Sequence, residues 1–132
     1  MALSSPLLIG AADSGAVELE LSGLRSHHGL VQICLTRDSA RFPECPKGAQ
    51  RTMPAAQASL RIEGLPSGAY AIALFHDENR NGRLDTMMGI PREGFGFSRN
   101  PPIRFGAPKF AAARFNVGAG ETRQHVTLKY LL

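Results

Sequence analysis

An all-β fold, an antiparallel β-sandwich of about seven short strands around one core, is what this sequence predicts. Three observations carry that expectation. Apolar residues recur with a period of two in short runs, as at Val17, Leu19 and Leu21. Glycine and proline, 14 and 9 of the 132 residues, punctuate the chain between those runs. No stretch keeps a helical apolar period between recognisable caps. Hydrophobic residues make up 43% and charged residues 20%, a globular composition, and the length suits a single domain. That domain is expected over residues 15–132, after a flexible leader or signal-peptide remnant at residues 1–14. No run reaches the ~20 apolar residues of a membrane span.

In order along the chain, residues 16–21 alternate cleanly and bury Val17, Leu19 and Leu21 on one face. After Gly23 and the polar turn Ser26-His27-His28-Gly29, residues 30–36 form a second strand, with Val31, Ile33 and Leu35 inward. Cys34 falls on its opposite face, and the two strands are expected to pair as a hairpin. Residues 37–56, with Pro43 and Pro46, read as an irregular excursion. Residues 58–63 are a third strand with Leu60 and Ile62 inward, and 64–68 a tight connection. Residues 69–75 are apolar almost throughout, which suits a strand buried on both faces. Residues 86–108 show no periodicity and are expected as a long Gly/Pro/Phe loop, ordered because its phenylalanines need packing partners. Residues 110–117 and 124–132 close the fold as two strands, the second with Val126, Leu128 and Tyr130 on one face.

The stretch HDENRNGRLD, residues 76–85, is written differently from the scaffold. Asp77, Asn79, Asn81, Arg83 through its carbonyl, and Asp85 occupy the first, third, fifth, seventh and ninth positions of a calcium loop. Gly82 stands where such a loop bends, and Leu84 where an apolar residue pins it to the core. Met88 stands where a bidentate glutamate is required, so the set is incomplete. Calcium is the cofactor this pattern suggests, with affinity in the weak class of ~10⁻⁴–10⁻³ M unless Glu78 or Glu93 folds in. The same letters build Asx turns and left-handed backbone, so a metal-free turn is the competing expectation.

Other chemistries find less support. The formal charge of +4 comes from scattered Arg and Lys residues without a basic cluster, so nucleic acid is not an expected partner. His27, His28, His76 and His125 have no spacing that gathers them, with Met87 and Met88, around copper. Ser98, His76 and Asp77 lack a nucleophile elbow. Phe95 and Phe97 are expected to close the open end of the sandwich, with a flexible lip for an apolar ligand as the alternative.

Residues 66–98 also carry a longer pattern. Pro66-x-Gly68-x-Tyr70-Ala71 precedes HDENRNGRLD, and Gly89-Ile90-Pro91-x-Glu93-Gly94-Phe95-Gly96-Phe97-Ser98 follows it. The pattern resembles a bacterial family catalogued as domain of unknown function 2141, over about residues 15–132. The resemblance implies a prealbumin-like (transthyretin-like) sandwich and an exported protein, periplasmic or secreted, and it implies no activity. Under export, Cys34 and Cys45 are expected to form a disulfide that ties the 37–56 excursion to the second strand, contributing ~3 kcal/mol in the loop-entropy model.

The sequence thus predicts a binding or structural module rather than an enzyme, whose partner is an unidentified small molecule or protein. One alternative is a carrier of a small apolar ligand, with His76, Glu93, Phe95 and Phe97 as binding residues. The other is an enzyme with a carboxylate-centred site at His76, Asp77, Asp85 and Glu93.

Overall fold

A computed structural model describes residues 14–87, 90–104 and 106–132. The expected leader, apart from residue 14, and the calcium-loop position at Met88 lie outside the described residues. The strands are β1 (Ser14–Ser22), β2 (Leu30–Thr36), β3 (Gln50–Pro54), β4 (Ser59–Pro66), β5 (Gly68–Asp77), β6 (Thr86–Met87), β7 (Ile90–Pro91), β8 (Phe95–Phe97), β9 (Phe115–Val117) and β10 (Gly120–Thr127). One helical turn, α1 (Phe110–Ala113), precedes β9. The all-β expectation therefore holds.

The strands form two main sheets. One has the order β10-β1-β4, the other β3-β2-β5-β8, with β9 also paired to β5. β6 and β7 make a separate two-stranded ribbon. All pairings are antiparallel except β1 with β10, which run parallel from Gly15↔Gly120 to Ser22↔Thr127. Between the two main sheets lies the larger core, where Val17 and Leu19 of β1 meet Val31 of β2, Ile72 of β5 and Val126 of β10. Each such fully buried side chain contributes roughly 1.5–3 kcal/mol.

Four sequence expectations change here. β1 and β2 are not a hairpin; they belong to different sheets, so their similar apolar faces fill the core from opposite sides. The 37–56 excursion ends in β3, which pairs with β2 from Leu30↔Pro54 to Cys34↔Gln50. Residues 110–113, Phe-Ala-Ala-Ala, form a helical turn instead of a strand, in keeping with the helix preference of alanine. The last strand begins at Gly120 and ends at Thr127, earlier than its apolar residues alone indicate.

A fifth change is the most consequential. Within the supposed aperiodic loop, Phe95–Phe97 is a strand pairing with β5 as Ala73↔Phe97 and Phe75↔Phe95. The repeat Gly94-Phe95-Gly96-Phe97 is period-two alternation with glycine on the core side. A Cβ at Gly96 would stand 2.6 Å from Val126 Cγ1, and one at Gly94 would stand 2.4 Å from the Tyr130 ring. The glycines let β10 and the C-terminal segment close over this edge. Both phenylalanines consequently point to the outer face of the five-stranded sheet, not to the end of the sandwich.

On that outer face a second apolar cluster assembles, with Ala71, Phe95, Phe97 and Ala113 buried and Phe42, Phe75, Ile103 and Phe110 partly so. Phe42 meets Phe97 and Phe110 edge-on at 6.1 and 5.9 Å between ring centroids, a favoured aromatic geometry. The disulfide Cys34–Cys45, with Cα atoms 5.7 Å apart, holds the Phe42 excursion against β2. Ser98 anchors the other cover: its hydroxyl accepts from the Ile72 N–H at 2.9 Å and donates to the Ala113 carbonyl.

The close approach at Gly96 makes a direct prediction. Gly96→Ala is expected to cost about 1–3 kcal/mol through overpacking against Val126. A lowered urea midpoint would register that loss, and an unchanged midpoint would show that β10 yields freely.

Candidate functional site

The outer face of the five-stranded sheet is only partly covered. Under the disulfide-tied excursion and the 98–113 segment, a cavity of about 670 Å³ remains. Ala73 and Phe75 from β5, Phe95 and Phe97 from β8, the Cys34–Cys45 bridge and Ile103 contribute to its walls. Alternation explains why one strand can serve both purposes. Residues 70, 72, 74 and 76 of β5 face the main core, while 71, 73, 75 and 77 face outward. Alternation at Gly94–Phe97 puts both rings on the side away from the glycines, and Val126 and Tyr130 against the glycines fix which side that is.

The cavity is also lined by side chains whose exposure is unusual for their chemistry. Leu84, Ile90 and Leu131 line it and remain 39%, 44% and 54% exposed. Leu84 thus borders the cavity instead of pinning the 77–85 loop to the core. Sequence reasoning named Ile90 only within the longer family pattern and did not single out Leu131, because isolated apolar residues beside turns do not mark a binding surface.

The 77–85 loop begins where β5 ends. Asp77 is fully buried; its Oδ1 accepts from the Asn81 N–H at 3.1 Å, and its Oδ2 from the Gly82 N–H at 2.8 Å and Gln32 Nε2 at 3.0 Å. Those bonds close a tight turn in which Gly82 adopts φ 76°, a conformation suited to glycine. Asn79 and Asn81 donate their amide hydrogens to Asp85 at 2.8 to 3.0 Å. These bonds hold the Asp85 carboxyl below the usual range. Arg83 donates its backbone N–H to Asn81 Oδ1 at 2.9 Å.

Glu93 does fold toward this loop. Its Oε1 accepts from the Asp85 N–H at 3.2 Å, and burial, aided by the charges of Asp85 and Asp77, pushes its carboxyl up. Glu78 turns away to Arg25 and Ser26, and the Arg25 hydrogen bond holds it below its ordinary value. Among the described residues, no three His, Cys, Asp or Glu side chains are grouped to hold a metal ion.

His76 lies on the core side of β5, across the sheet from Phe95 and Phe97. It is fully buried, and both ring nitrogens are engaged. Nε2 is 2.7 Å from the His28 carbonyl, so it carries the proton. Nδ1 then accepts from the Tyr130 hydroxyl at 2.9 Å, which itself accepts from the Arg25 N–H at 3.0 Å. Arg25 also stacks 4.6 Å over the Tyr130 ring and pairs with Glu78 at 2.7 Å. The network fastens the 23–29 connection and the C-terminal segment to the end of β5. The structure therefore brings Phe95 and Phe97 together at the cavity and places Asp77, Asp85 and Glu93 around the loop without gathering their side chains into a metal-holding group, while His76 belongs to neither.

Tyr130→Phe isolates the polar part of that network. It leaves the buried His76 Nδ1 without its donor and is expected to lower stability by about 1–3 kcal/mol in chemical denaturation. A neutral result would mean that His76 finds another partner.

The comparisons with known proteins identify the chain at family level. No curated protein and no solved structure matches it. A family described as uncharacterised and conserved in bacteria matches residues 19–125, which span the core strands, the 77–85 loop and the Phe95–Phe97 strand. The chain belongs to that bacterial family, DUF2141.

Proposed function

We propose that this protein binds a small apolar ligand in the cavity on the outer face of its five-stranded sheet, and that it acts as a binding module rather than an enzyme. One observation carries the reading: a cavity of about 670 Å³ with phenylalanine walls, bordered by leucine and isoleucine side chains left in water. Ligand sites of ~300–1,000 Å³ are typically concave, apolar and largely preformed. Here preformation is supported by fixed points on the covers. The disulfide holds one, and Ser98 and Asn100 hold the other, Asn100 by accepting from the Thr127 N–H and donating to the His125 carbonyl. The disulfide also supports a location in an oxidising compartment, periplasmic or secreted.

A second reading concerns calcium at the 77–85 loop, and the arrival of Glu93 favours it. Glu93 brings a further carboxylate to the backbone of the loop that carries Asp77 and Asp85, where the loop itself lacks its glutamate. Binding would require Asn79 and Asn81 to turn oxygens, rather than amide hydrogens, toward the ion.

The cavity reading predicts saturable one-site binding of an apolar fluorophore such as N-phenylnaphthylamine, together with a raised melting temperature. Ala73→Leu adds volume on the outer face opposite Phe97 and is expected to weaken the probe by about tenfold without unfolding the protein. A wild type that takes up no probe overturns the reading. For the loop, calcium added to chelator-treated protein is expected to raise the melting temperature at ~10⁻⁴–10⁻³ M metal. An unmoved transition up to that concentration removes calcium from consideration.

A further inference from the structure

We infer that the ligand of this cavity is an amphiphile with an anionic head, its apolar body held against the phenylalanine walls and its head on Arg104. The inference rests on the cavity reading above and narrows the class of ligand. Arg104 is the only charged side chain among the described residues that line the cavity. It is exposed, and it follows Ile103, which packs against the second apolar cluster. The guanidinium therefore belongs to the segment that covers the cavity, where its head can stay in water above an apolar interior.

Several arginines of the fold are committed to acids, and Arg104 is not. Arg25 is paired with Glu78, Arg61 with Glu18, Glu63 and Glu121, and Arg123 with Glu20 and Glu121. Arg104 forms no ion pair and donates no hydrogen bond among the described residues. The acids of the neighbouring loop do not supply the missing partner. Asp85 is engaged by Asn79 and Asn81 and lies in the field of Arg83 and Arg92, and Glu93 is buried against the loop backbone. Among the described residues, the cavity thus presents one cation and no compensating anion.

A planar guanidinium binds a carboxylate or phosphate through two parallel N–H bonds, a geometry that an uncharged head cannot reproduce. A long apolar chain with such a head satisfies both the walls and the rim. A purely apolar ligand leaves Arg104 unused, and a small polar anion leaves the phenylalanine surface uncovered. The shared chemistry, an apolar tail with an anionic head, covers free fatty acids and single-chain phosphorylated lipids alike.

Displacement of N-phenylnaphthylamine from the full chain tests this, with dodecanoate, dodecyl phosphate and neutral dodecanol as competitors at a pH where the carboxylate is ionised. Both anions are expected to bind about tenfold more tightly than dodecanol. Arg104→Gln is expected to abolish that preference while leaving dodecanol unchanged, and added salt is expected to reduce it in the wild type only. A preference for one anion over the other assigns the head as carboxylate or phosphate. Equal binding of all three competitors, with no effect of Arg104→Gln, overturns the inference but leaves the cavity reading standing. Failure of every competitor and of the probe itself removes the cavity reading as well.

Discussion

Strand β5 has to bury both of its faces, and the rest of the molecule is arranged to let it. Residues 70, 72, 74 and 76 point into the space between the sheets, and residues 71, 73, 75 and 77 point to the other side. The first face is covered by a complete sheet. The second is covered by pieces: the Phe42 excursion, the 98–113 segment and the rings of Phe95 and Phe97. Covering a sheet face with irregular segments is less efficient than covering it with a second sheet, because loops cannot interdigitate along its whole length. The cavity occupies the place where that covering falls short.

The ends of β5 show how the fold keeps polar groups inside. At the C-terminal end, Asp77 receives two backbone N–H groups and one glutamine amide, so its burial is compensated by the turn it creates. Next to it, His76 is sandwiched between a carbonyl and a tyrosine hydroxyl. At the other end, Tyr70 donates its hydroxyl to the Pro66 carbonyl at 2.6 Å. Among the described residues no buried side-chain nitrogen or oxygen lacks a partner. A buried histidine beside a buried aspartate therefore reads first as architecture, since each is satisfied by neighbours on a different face of the strand.

The placement of the acidic loop beside the cavity follows from chain economy. β5 leads directly into the loop, Leu84 of the loop reaches the cavity, and Glu93 returns to the loop just before β8 begins. Residues 70–98 consequently form one structural unit, in which the strand, the turn and the paired strand share a boundary with the same space. The position of Arg104 beyond that unit belongs to the cover, and so does the charge it brings.

The sequence by itself determined the elements whose information is local. Alternation in β1, β2 and β4, the double burial of β5 and the placement of Cys34 away from the core all follow from residues a few positions apart. Partner choice was not local. β1 pairs in parallel with β10, more than a hundred residues away, and no periodicity in either strand specifies which edge it meets. The face chosen by Phe95 and Phe97 was latent in the flanking glycines, yet it became readable only once Val126 and Tyr130 stood against them. The cavity was wholly a tertiary product. Its walls come from separated stretches of chain between residues 32 and 131, and a space left between surfaces has no residues of its own to mark it in the sequence.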